Sequence, residues 1–251
     1  MSKQENFIFG IHAVQSILDN QSERVINIFV VQSKSNARIK ELIKLAKHKK
    51  CSLQTVDQLT FDKKFSVEGS RHQGIAAELQ PQKAKNENDL KSIIENASGS
   101  KLFLILDGIT DPHNLGACLR SADAFGVHAV IAPKDKSASL CATACKVACG
   151  AAETVPFIQV TNLARTLQYL QQEGVWIYGA AGETDSSLYQ IDFTGSVAIA
   201  MGAEAKGLRR LTRENCDQLF AIPMLGTVES LNVSVATGIC LSEVARQRSH
   251  K

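Results

Sequence analysis

The amino-acid sequence predicts an α/β protein with a small N-terminal α/β layer domain and a larger C-terminal domain built on a parallel β-sheet. From residue 101 onward, near-continuous apolar segments alternate with helical patterns, which is typical of a parallel sheet covered by helices on both faces. The polar stretch QPQKAKNEND (residues 80–89) has no apolar periodicity and predicts a linker. We therefore expect domains at residues 1–79 and 101–251, joined by a linker at residues 80–100.

The first 79 residues alternate helical and strand-like patterns. The predicted elements are, in order, a helix at 10–20, a strand at 25–31, a helix at 37–50, and strands at 52–56 and 74–79. The helix at 37–50 is amphipathic, because apolar residues recur at positions 39, 42, 43 and 46 while lysines occupy positions 40, 44 and 47. These patterns together predict a small α/β layer domain.

The second domain alternates strands with helices over its whole length. Strands are predicted at 102–107, 128–132, 154–160, 175–179, 197–202 and 218–222. Helices are predicted at 115–125, 140–149, 163–173 and 208–216, and from about Ala236 onward. Parallel sheets bind ligands beyond the carboxyl ends of their strands, so we expect the functional loops to follow Asp107, Gly202 and Ile222.

The first of these loops, DGITDPHNLGACLR from Asp107, leads into a helix. Asn114 is placed to cap that helix, and Gly116 permits the close approach of another backbone or of a ligand. Arg120 follows Asn114 by six residues, nearly two helical turns, and is expected to project toward whatever occupies the loop. The alternative for Arg120 is a surface cation paired with Asp123.

The other two loops also place polar residues beside apolar strands. In the second loop, Gly202 and Gly207 bracket Glu204, which permits close approach of a nucleoside, although an ordinary turn also explains this pattern. In the third, residues 230–235 alternate small polar and apolar side chains, which predicts strand character up to about residue 236, where helical spacing begins. The alternative is an ordinary helix cap formed by Ser230 or Asn232.

The positive charge of the chain is concentrated in its first third. Residues 1–79 hold 12 Lys and Arg against 8 Asp and Glu, whereas residues 80–251 hold 16 against 17. Clustered cations suit a surface that faces RNA phosphates, although a solvated basic face explains the distribution nearly as well. The charge distribution is therefore weak support for an RNA-binding N-terminal domain.

The cysteines and the apolar runs predict a location and exclude some classes of site. Seven cysteines without a CxxC pair predict a reducing, cytoplasmic environment. Cys141, Cys145 and Cys149 recur every four residues, and we expect them to pack on one helix face rather than to bind a metal. No apolar run approaches the length of a membrane span, and MSKQENFIFG lacks the pattern of a signal peptide. We expect neither a metal nor a membrane.

Taken together, the three loops resemble the SpoU class of RNA 2′-O-ribose methyltransferases, the TrmH-like members of the SPOUT superfamily. The resemblance rests on the runs NLGACLR from Asn114, GAEAKG from Gly202 and SLNVS from Ser230, and it covers essentially the whole chain. Four longer runs are most similar to the subfamily that methylates a guanosine ribose in 23S ribosomal RNA. They are GIHAVQ from Gly10, HQGI from His72, LDGITDPHNLGACLRSADAFGVHAVI from Leu106 and SLNVSVATGICL from Ser230.

The resemblance implies a C-terminal domain with a trefoil knot that binds S-adenosylmethionine, and an N-terminal RNA substrate-binding domain of the ribosomal-protein L30e/L7Ae type. It also implies a homodimer whose active site is completed across the interface, with 23S ribosomal RNA as the partner. The catalytic residues implied by position are Asn114, Arg120, Glu204, Ser230 and Asn232. The cofactor-binding residues implied in the same way are Met201, Gly202, Ile222, Met224, Leu231 and Asn232.

The resemblance also implies a role for each polar residue of the site. Arg120 would lie at the target nucleotide as a base or a phosphate clamp, and the clamp is favoured because a guanidinium stays protonated. A phosphate oxygen or a water molecule would then take the proton. Asn114 would orient the hydroxyl or the methyl-bearing group, and Glu204 would hold Arg120 or the cofactor. Ala205 stands where the class usually has glycine, which would strain the loop by about 1 kcal/mol if φ there is positive.

The N-terminal domain carries two groups of candidate RNA-binding residues. They are Lys47, Lys49 and Lys50 at a helix end, and Arg71, His72 and Gln73 before a strand. The alternatives are a solvated helix end for the lysines and a plain loop for the others, because charge runs are often only surface.

Three other functions compete with methylation of 23S ribosomal RNA. The first is 2′-O-methylation of a transfer RNA or of another ribosomal RNA nucleotide. The second is a non-catalytic RNA-binding or ribosome-assembly factor on the same scaffold, which the presence of all four polar motif residues disfavours. They are Asn114, Arg120, Glu204 and Asn232. The third, a dinucleotide-dependent enzyme, is disfavoured because no GxGxxG follows the first strand of either domain.

Overall fold

The computed structural model describes residues 7–32, 37–65, 72–80, 84–203 and 206–249. The chain forms two compact units, Met1–Lys83 and Ala84–Lys251, each with its own β-sheet and hydrophobic core. Among the helices formed by the described residues, none has the length and apolar character needed to span a bilayer.

The first unit is built on a four-stranded sheet. Its elements are β1 (Phe7–Phe9), α1 (Ile11–Asn20), a 3-10 turn (Ser22–Arg24), β2 (Val25–Val31), α2 (Ala37–His48), β3 (Leu53–Val56), α3 (Gln58–Phe65) and β4 (Ile75–Leu79). The strand order is β1-β4-β2-β3, with β2 and β3 parallel and the other pairs antiparallel. The sequence predicted every element except β1, the turn and α3, which are short.

The sheet of the first unit is covered on both faces. Helices α1 and α2 bury one face with apolar side chains that include Val14 and Ile39. On the other face, α3 contributes to an aromatic cluster in which the rings of Phe29 and Phe65 lie 5.1 Å apart. The ammonium group of Lys64 lies 3.9 Å from the centre of the Phe29 ring, where a cation–π contact stabilises it.

The second unit is built on a six-stranded sheet in which all strands are parallel. Its elements are α4 (Glu87–Asn96), β5 (Leu102–Asp107), α5 (Pro112–Ala124), β6 (Ala129–Pro133), α6 (Ala142–Ala148), α7 (Ala151–Thr154), β7 (Phe157–Val160), α8 (Leu163–Gln172), β8 (Trp176–Ala180), a 3-10 turn (Leu188–Gln190), β9 (Val197–Gly202), α9 (Arg210–Glu214), β10 (Gln218–Phe220) and α10 (Val233–Ser249). The strand order is β10-β8-β9-β5-β6-β7. The predicted α/β fold class is confirmed, whereas the trefoil knot stays a prediction.

Both faces of the second sheet are buried, which explains why its strands are continuously apolar. In β5, Leu104 belongs to the core beneath α5, α6, α7 and α10, whereas Phe103 belongs to the core beneath α4 and α8. Every residue of β5 is buried. In β5 the one polar side chain is that of Asp107, at the carboxyl end of the strand.

Two stretches of the second unit differ from the prediction. The range predicted as a linker contains α4, whose start is fixed by a capping box between Asn86 and Asp89 and whose Leu90 and Ile94 lie in the second core. The strand predicted at 154–160 is wrong in its first half, because residues 151–154 form α7 and the strand begins only at Phe157.

The end of α10 is held to the sheet by Arg248. Its guanidinium donates to the backbone carbonyls of Phe193 (3.1 Å), Lys101 (3.0 Å) and Gly195 (2.6 Å), which flank the starts of β5 and β9. We expect Arg248→Ala to lower the free energy of unfolding by about 3 kcal/mol, because these carbonyls would lose a charged donor. Urea denaturation measures the loss. Arg210→Ala is the control, since Arg210 is exposed and pairs with Glu214, which is half exposed. Equal effects of the two changes would contradict this account.

Candidate active site

The carboxyl ends of β5 and β9 form the point at which the strand order reverses. From β5 the chain runs outward through β6 and β7, and it then builds the opposite side of the sheet with β8, β9 and β10. Asp107 and Gly202, the last residues of β5 and β9, are paired across the sheet. Ligands of open parallel sheets bind outside the strand ends at such a point. The first and second predicted loops therefore lie side by side there.

The first loop enters α5 through Asp111 rather than Asn114. The Asp111 carboxylate accepts a hydrogen bond from the backbone N–H of His113 (2.8 Å), and Pro112 occupies the first helical position. The prediction that Asn114 caps the helix is therefore wrong, because the Asp-Pro pair starts the helix three residues earlier. Asn114 lies in the first turn of the helix instead, where its side chain contacts the third loop.

Asn232 joins the third loop to the first. Its amide donates to Oδ1 of Asn114 (3.0 Å), and its own Oδ1 accepts from the backbone N–H (2.9 Å) and the hydroxyl (2.6 Å) of Ser234. Asn232 therefore caps α10, which begins at Val233. The strand character predicted for residues 230–235 is wrong, because residues 230–232 lie outside any strand or helix and residues 233–235 form the first turn of α10. The Asn232 side chain therefore caps α10 and contacts Asn114 at the same time.

The second loop is closed by its own backbone. Ala203 and Gly207 exchange two backbone hydrogen bonds of 3.2 and 2.8 Å. A Cβ added to Gly202 would lie 2.1 Å from the carbonyl carbon of Gly207, and Gly207 has φ +61°. The space beside Gly202 is thus filled by the chain itself, whereas the sequence predicted the approach of a nucleoside. Glu204 and Ala205 lie outside the described residues.

The third loop, residues 221–232, holds most of the predicted cofactor-binding residues. Ile222 and Leu231 are half-buried and pack against the core that also contains buried Met201. Met224 and Ser230 are exposed, as is Leu225, whose side chain is fully exposed. Apolar side chains left in solvent on an irregular loop are typical of a surface that binds a ligand or a partner.

Arg120 lies apart from the pair formed by Asn114 and Asn232. Six residues of α-helix separate Arg120 from Asn114 by about 9 Å along the axis and place the two on different faces of α5. The Arg120 side chain is exposed, and its Nη1 lies 3.7 Å from the sulfur of Cys149. One chain therefore brings Asn114 and Asn232 together but does not bring Arg120 to them. Asp123, the alternative partner of Arg120, accepts a hydrogen bond from the Thr154 hydroxyl.

The cysteines show no arrangement suited to a metal. Cys141 and Cys145 pack against the core as predicted, but Cys149 is exposed in a left-handed conformation (φ 52°) after α6. Burial raises the pKa of Cys118 to about 11 and that of Cys240 to about 12, so both thiols stay protonated at neutral pH. In the part of the chain that the structure describes, no three His, Cys, Asp or Glu side chains are grouped closely enough to hold a metal ion.

The first unit gives its candidate RNA-binding residues different environments. His72 lies 3.2 Å from the Asp62 carboxylate and packs on the Phe61 ring, while Gln73 accepts a hydrogen bond from the backbone N–H that begins α1 (3.0 Å). These two side chains hold the local fold together. By contrast, the lysines at the end of α2 are exposed, and Arg71 lies outside the described residues. The exposed lysines are Lys47, Lys49 and Lys50.

The pair formed by Asp107 and Arg209 lies beside the same strand ends and was not predicted. The Asp107 carboxylate is buried, and it accepts a hydrogen bond from the backbone N–H of Arg209 (2.8 Å). The only sequence signal for this pair is an acidic residue at the end of an apolar strand. Its partner cannot be read from the sequence, because β5 and β9 are far apart along the chain.

A family model described as the SpoU rRNA methylase family matches residues 101–242. The chain belongs to the SpoU rRNA methylase family. A second model, described as RNA 2′-O ribose methyltransferase substrate binding, matches residues 7–84. The predicted family and enzyme class, an RNA 2′-O-ribose methyltransferase, are confirmed.

Individual members of the SpoU family match the chain over nearly its whole length. A protein of Vibrio vulnificus named 23S rRNA (guanosine-2′-O-)-methyltransferase RlmB is 56% identical over 96% of this chain and 97% of its own. The Escherichia coli K12 protein of the same name is 55% identical over 96% and 98%. Among solved structures, the SpoU methyltransferase AviRb from Streptomyces viridochromogenes, in complex with the cofactor AdoMet, superposes with a TM-score of 0.81. It is 20% identical over 99% of this chain and 92% of its own, so it supports the fold alone.

The contact between Asn232 and Asn114 leads to a prediction that separates stability from activity. We expect Asn232→Ala to lower the free energy of unfolding by about 1 kcal/mol, because α10 loses its cap, and Asn232→Ser to lower it by only a few tenths. Both changes remove the amide that holds Asn114, so both should slow methylation by about tenfold or more. Thermal denaturation and single-turnover methylation measure the two effects. Full activity of Asn232→Ser would show that the contact with Asn114 is not needed.

Proposed function

We propose that this chain transfers a methyl group from S-adenosylmethionine to the ribose 2′-hydroxyl of a guanosine in 23S ribosomal RNA. The observation that carries the proposal is the near full-length identity of 55–56% to SpoU family members named for this reaction. The hydrogen bond from Asn232 to Asn114 supports it, because it links two motif loops beside the strand ends where a ligand would bind. Such a reaction on ribosomal RNA implies the cytoplasm as its location.

The residues of the third loop fit the adenosine part of the cofactor. Ile222 and Leu231 offer half-buried apolar surface, and the backbone groups of residues 223–232 lie outside any strand or helix. Met201, Gly202, Met224 and Asn232 line the same region in our proposal, with Gly202 shaping the loop rather than receiving the ligand. When bound, S-adenosylmethionine supplies an electrophilic methyl group on a sulfonium centre.

The remaining polar residues act on the RNA. Asn114, fixed by Asn232, orients the 2′-hydroxyl through its amide, and Ser230 completes the wall of the pocket. Arg120 neutralises the phosphate next to the target nucleotide, because its guanidinium keeps its charge and its planar fork matches phosphate oxygens. The hydroxyl proton passes to a phosphate oxygen or to water. Glu204 holds Arg120 or the cofactor.

We further propose that two copies of the chain form the working enzyme. Arg120 and Asn114 lie on different faces of α5, so a second copy is needed to bring an arginine to the asparagine pair. Helix α10 offers a surface for that copy: Val235 is 50% exposed, and it lines an open groove with Ile239 and with Tyr189, which is 60% exposed. An exposed apolar surface on the helix that carries the asparagine cap fits an interface beside the site.

Mixing two impaired variants tests the shared site. Coexpressed Arg120→Ala and Asn232→Ala chains should recover about a quarter of the wild-type rate, because half of the dimers are mixed and each has one intact site. The variants expressed singly are the controls. No recovery in mixed dimers, with dimers present by light scattering, would mean that each chain builds its site alone.

The two units divide the work in our proposal. Residues 1–79 bind the RNA substrate and residues 101–251 carry methyl transfer. Of the range 80–100 between them, α4 is part of the second unit. The exposed Lys47, Lys49 and Lys50 at the end of α2 suit RNA phosphates, whereas His72 and Gln73 are committed to the fold. Arg71 is also proposed to bind RNA.

Labelled methyl incorporation into separate RNAs tests the substrate. Purified chain incubated with methyl-labelled S-adenosylmethionine should label 23S ribosomal RNA and leave 16S ribosomal RNA and transfer RNA unlabelled. Label in transfer RNA alone would show that the substrate is a transfer RNA and not 23S ribosomal RNA. Binding of RNA without any label would favour the non-catalytic assembly factor.

A further inference from the structure

Arg209 is fixed at the carboxyl ends of β5 and β9 by a buried carboxylate. Asp107 is 1% exposed, its Oδ2 accepts the backbone N–H of Arg209 (2.8 Å), and its Oδ1 lies 3.5 Å from Nε of the same residue. A buried carboxylate needs a compensating charge, so Asp107 holds the guanidinium in place. Nη2 lies 3.0 Å from the position that a Cβ on Gly108 would occupy, so the guanidinium covers the start of the first loop.

Three loops meet around this guanidinium. Nη2 of Arg209 donates to the carbonyl of Lys136 in the loop after β6 (3.5 Å). The loop after β6 is also tied to the first loop, because the backbone N–H of Ala138 donates to the carbonyl of Ile109 (2.7 Å). The loops after β5, β6 and β9 thus share one small surface. One of these three loops, the loop after β5, also leads into Asn114.

The exposed groups on this surface are mainly cationic. Although Asp107 contacts one edge of the Arg209 guanidinium, 44% of the Arg209 side chain remains exposed. Lys134 and Lys136 are exposed in the loop after β6, and Asp135 is the exposed acid between them. The next arginine along the chain differs, since Arg210 pairs with the exposed Glu214 (2.7 Å). A guanidinium that is positioned by a buried carboxylate and exposed to solvent can bind a phosphate group.

We propose that Arg209 and Lys136 form a binding site for a backbone phosphate of the RNA substrate, with Asp107 as the positioning residue that aims the guanidinium. The site would hold the strand beside the target nucleotide. This inference rests on the proposed function, because it assigns the ligand as the RNA that is methylated.

Salt-dependent RNA binding tests the site. We expect Lys136→Asn to weaken binding of 23S ribosomal RNA fragments about threefold at 0.1 M salt and to reduce the slope of log K against log salt by about 1. Asparagine is chosen because Lys136 has φ 57°, which asparagine tolerates. Arg209→Lys keeps a charge near Asp107 but loses the fork, and it should raise KM for RNA about tenfold with kcat nearly unchanged. Affinity for S-adenosylmethionine should not change in either variant.

Arg210→Ala is the matched control, since it removes the neighbouring exposed arginine and should leave RNA affinity and salt slope unchanged. Wild-type affinity and salt slope in both Lys136→Asn and Arg209→Lys would overturn the phosphate site while leaving methylation intact. If wild-type chain methylates no RNA, the proposed function fails. A reduced salt slope in Lys136→Asn would even then support the phosphate site.

Discussion

Replacing Arg120 with lysine is expected to slow methyl transfer about a hundredfold while leaving the affinity for S-adenosylmethionine unchanged. Lysine keeps the positive charge but loses the planar fork that would bind two phosphate oxygens at once. The loss of one aligned hydrogen-bond donor at a reaction site costs about this factor in rate. Arg120 is exposed on α5, so the change should cost little stability.

Single-turnover rates and calorimetric titration with S-adenosylmethionine separate the two effects of Arg120→Lys. The matched control is Arg165→Lys, the same chemical change on α8, which packs on the other core of the sheet. The control should react at the wild-type rate. Undiminished turnover in Arg120→Lys would exclude Arg120 as the phosphate clamp.

Replacing Gly202 with alanine is expected to destabilise the second unit by about 3 kcal/mol or more. The new Cβ would lie 2.1 Å from the carbonyl carbon of Gly207 and 2.3 Å from the backbone nitrogen of Leu208. Because both are backbone atoms, the closed loop after β9 would have to open, which is the costly form of overpacking. Leu208 is itself buried in the core, so the strain should spread into the sheet.

Urea denaturation of Gly202→Ala measures this loss, and binding of S-adenosylmethionine should weaken with it. Gly182→Ala is the control, because a Cβ added there has no heavy atom within 4 Å. The control should change stability by less than about 1 kcal/mol. A Gly202→Ala variant as stable as the wild type would contradict the closed conformation of the second loop.

Much of the second unit could be predicted because its strands are buried on both faces. β5 and β9 are continuous apolar runs, and their alternation with helices identifies a parallel sheet without any tertiary information. The start of α10 could not be predicted, because six residues of alternating polarity fit a strand as well as the first turn of a capped helix. The alternative interpretation, a helix cap formed by Asn232, was correct.

The site was predictable as a set of loops but not as a set of contacts. Strand ends of a parallel sheet lie at one edge, so the loops after Asp107 and Gly202 could be expected together. The bond between Asn114 and Asn232 spans 118 residues, and the bond between Asp107 and Arg209 spans 102. The first depends on the packing of α10 against α5, and the second depends on β9 lying beside β5 in the sheet. No local pattern encodes either arrangement.

The identity of the methylated nucleoside tests the central claim most directly. Purified chain is incubated with 23S ribosomal RNA and methyl-labelled S-adenosylmethionine, and the RNA is then digested to nucleosides for mass spectrometry. The label should be found in 2′-O-methylguanosine alone, and Arg120→Lys should yield about a hundredfold less of it in the initial phase. Label in a base-methylated nucleoside, or in no nucleoside at all, would contradict the account.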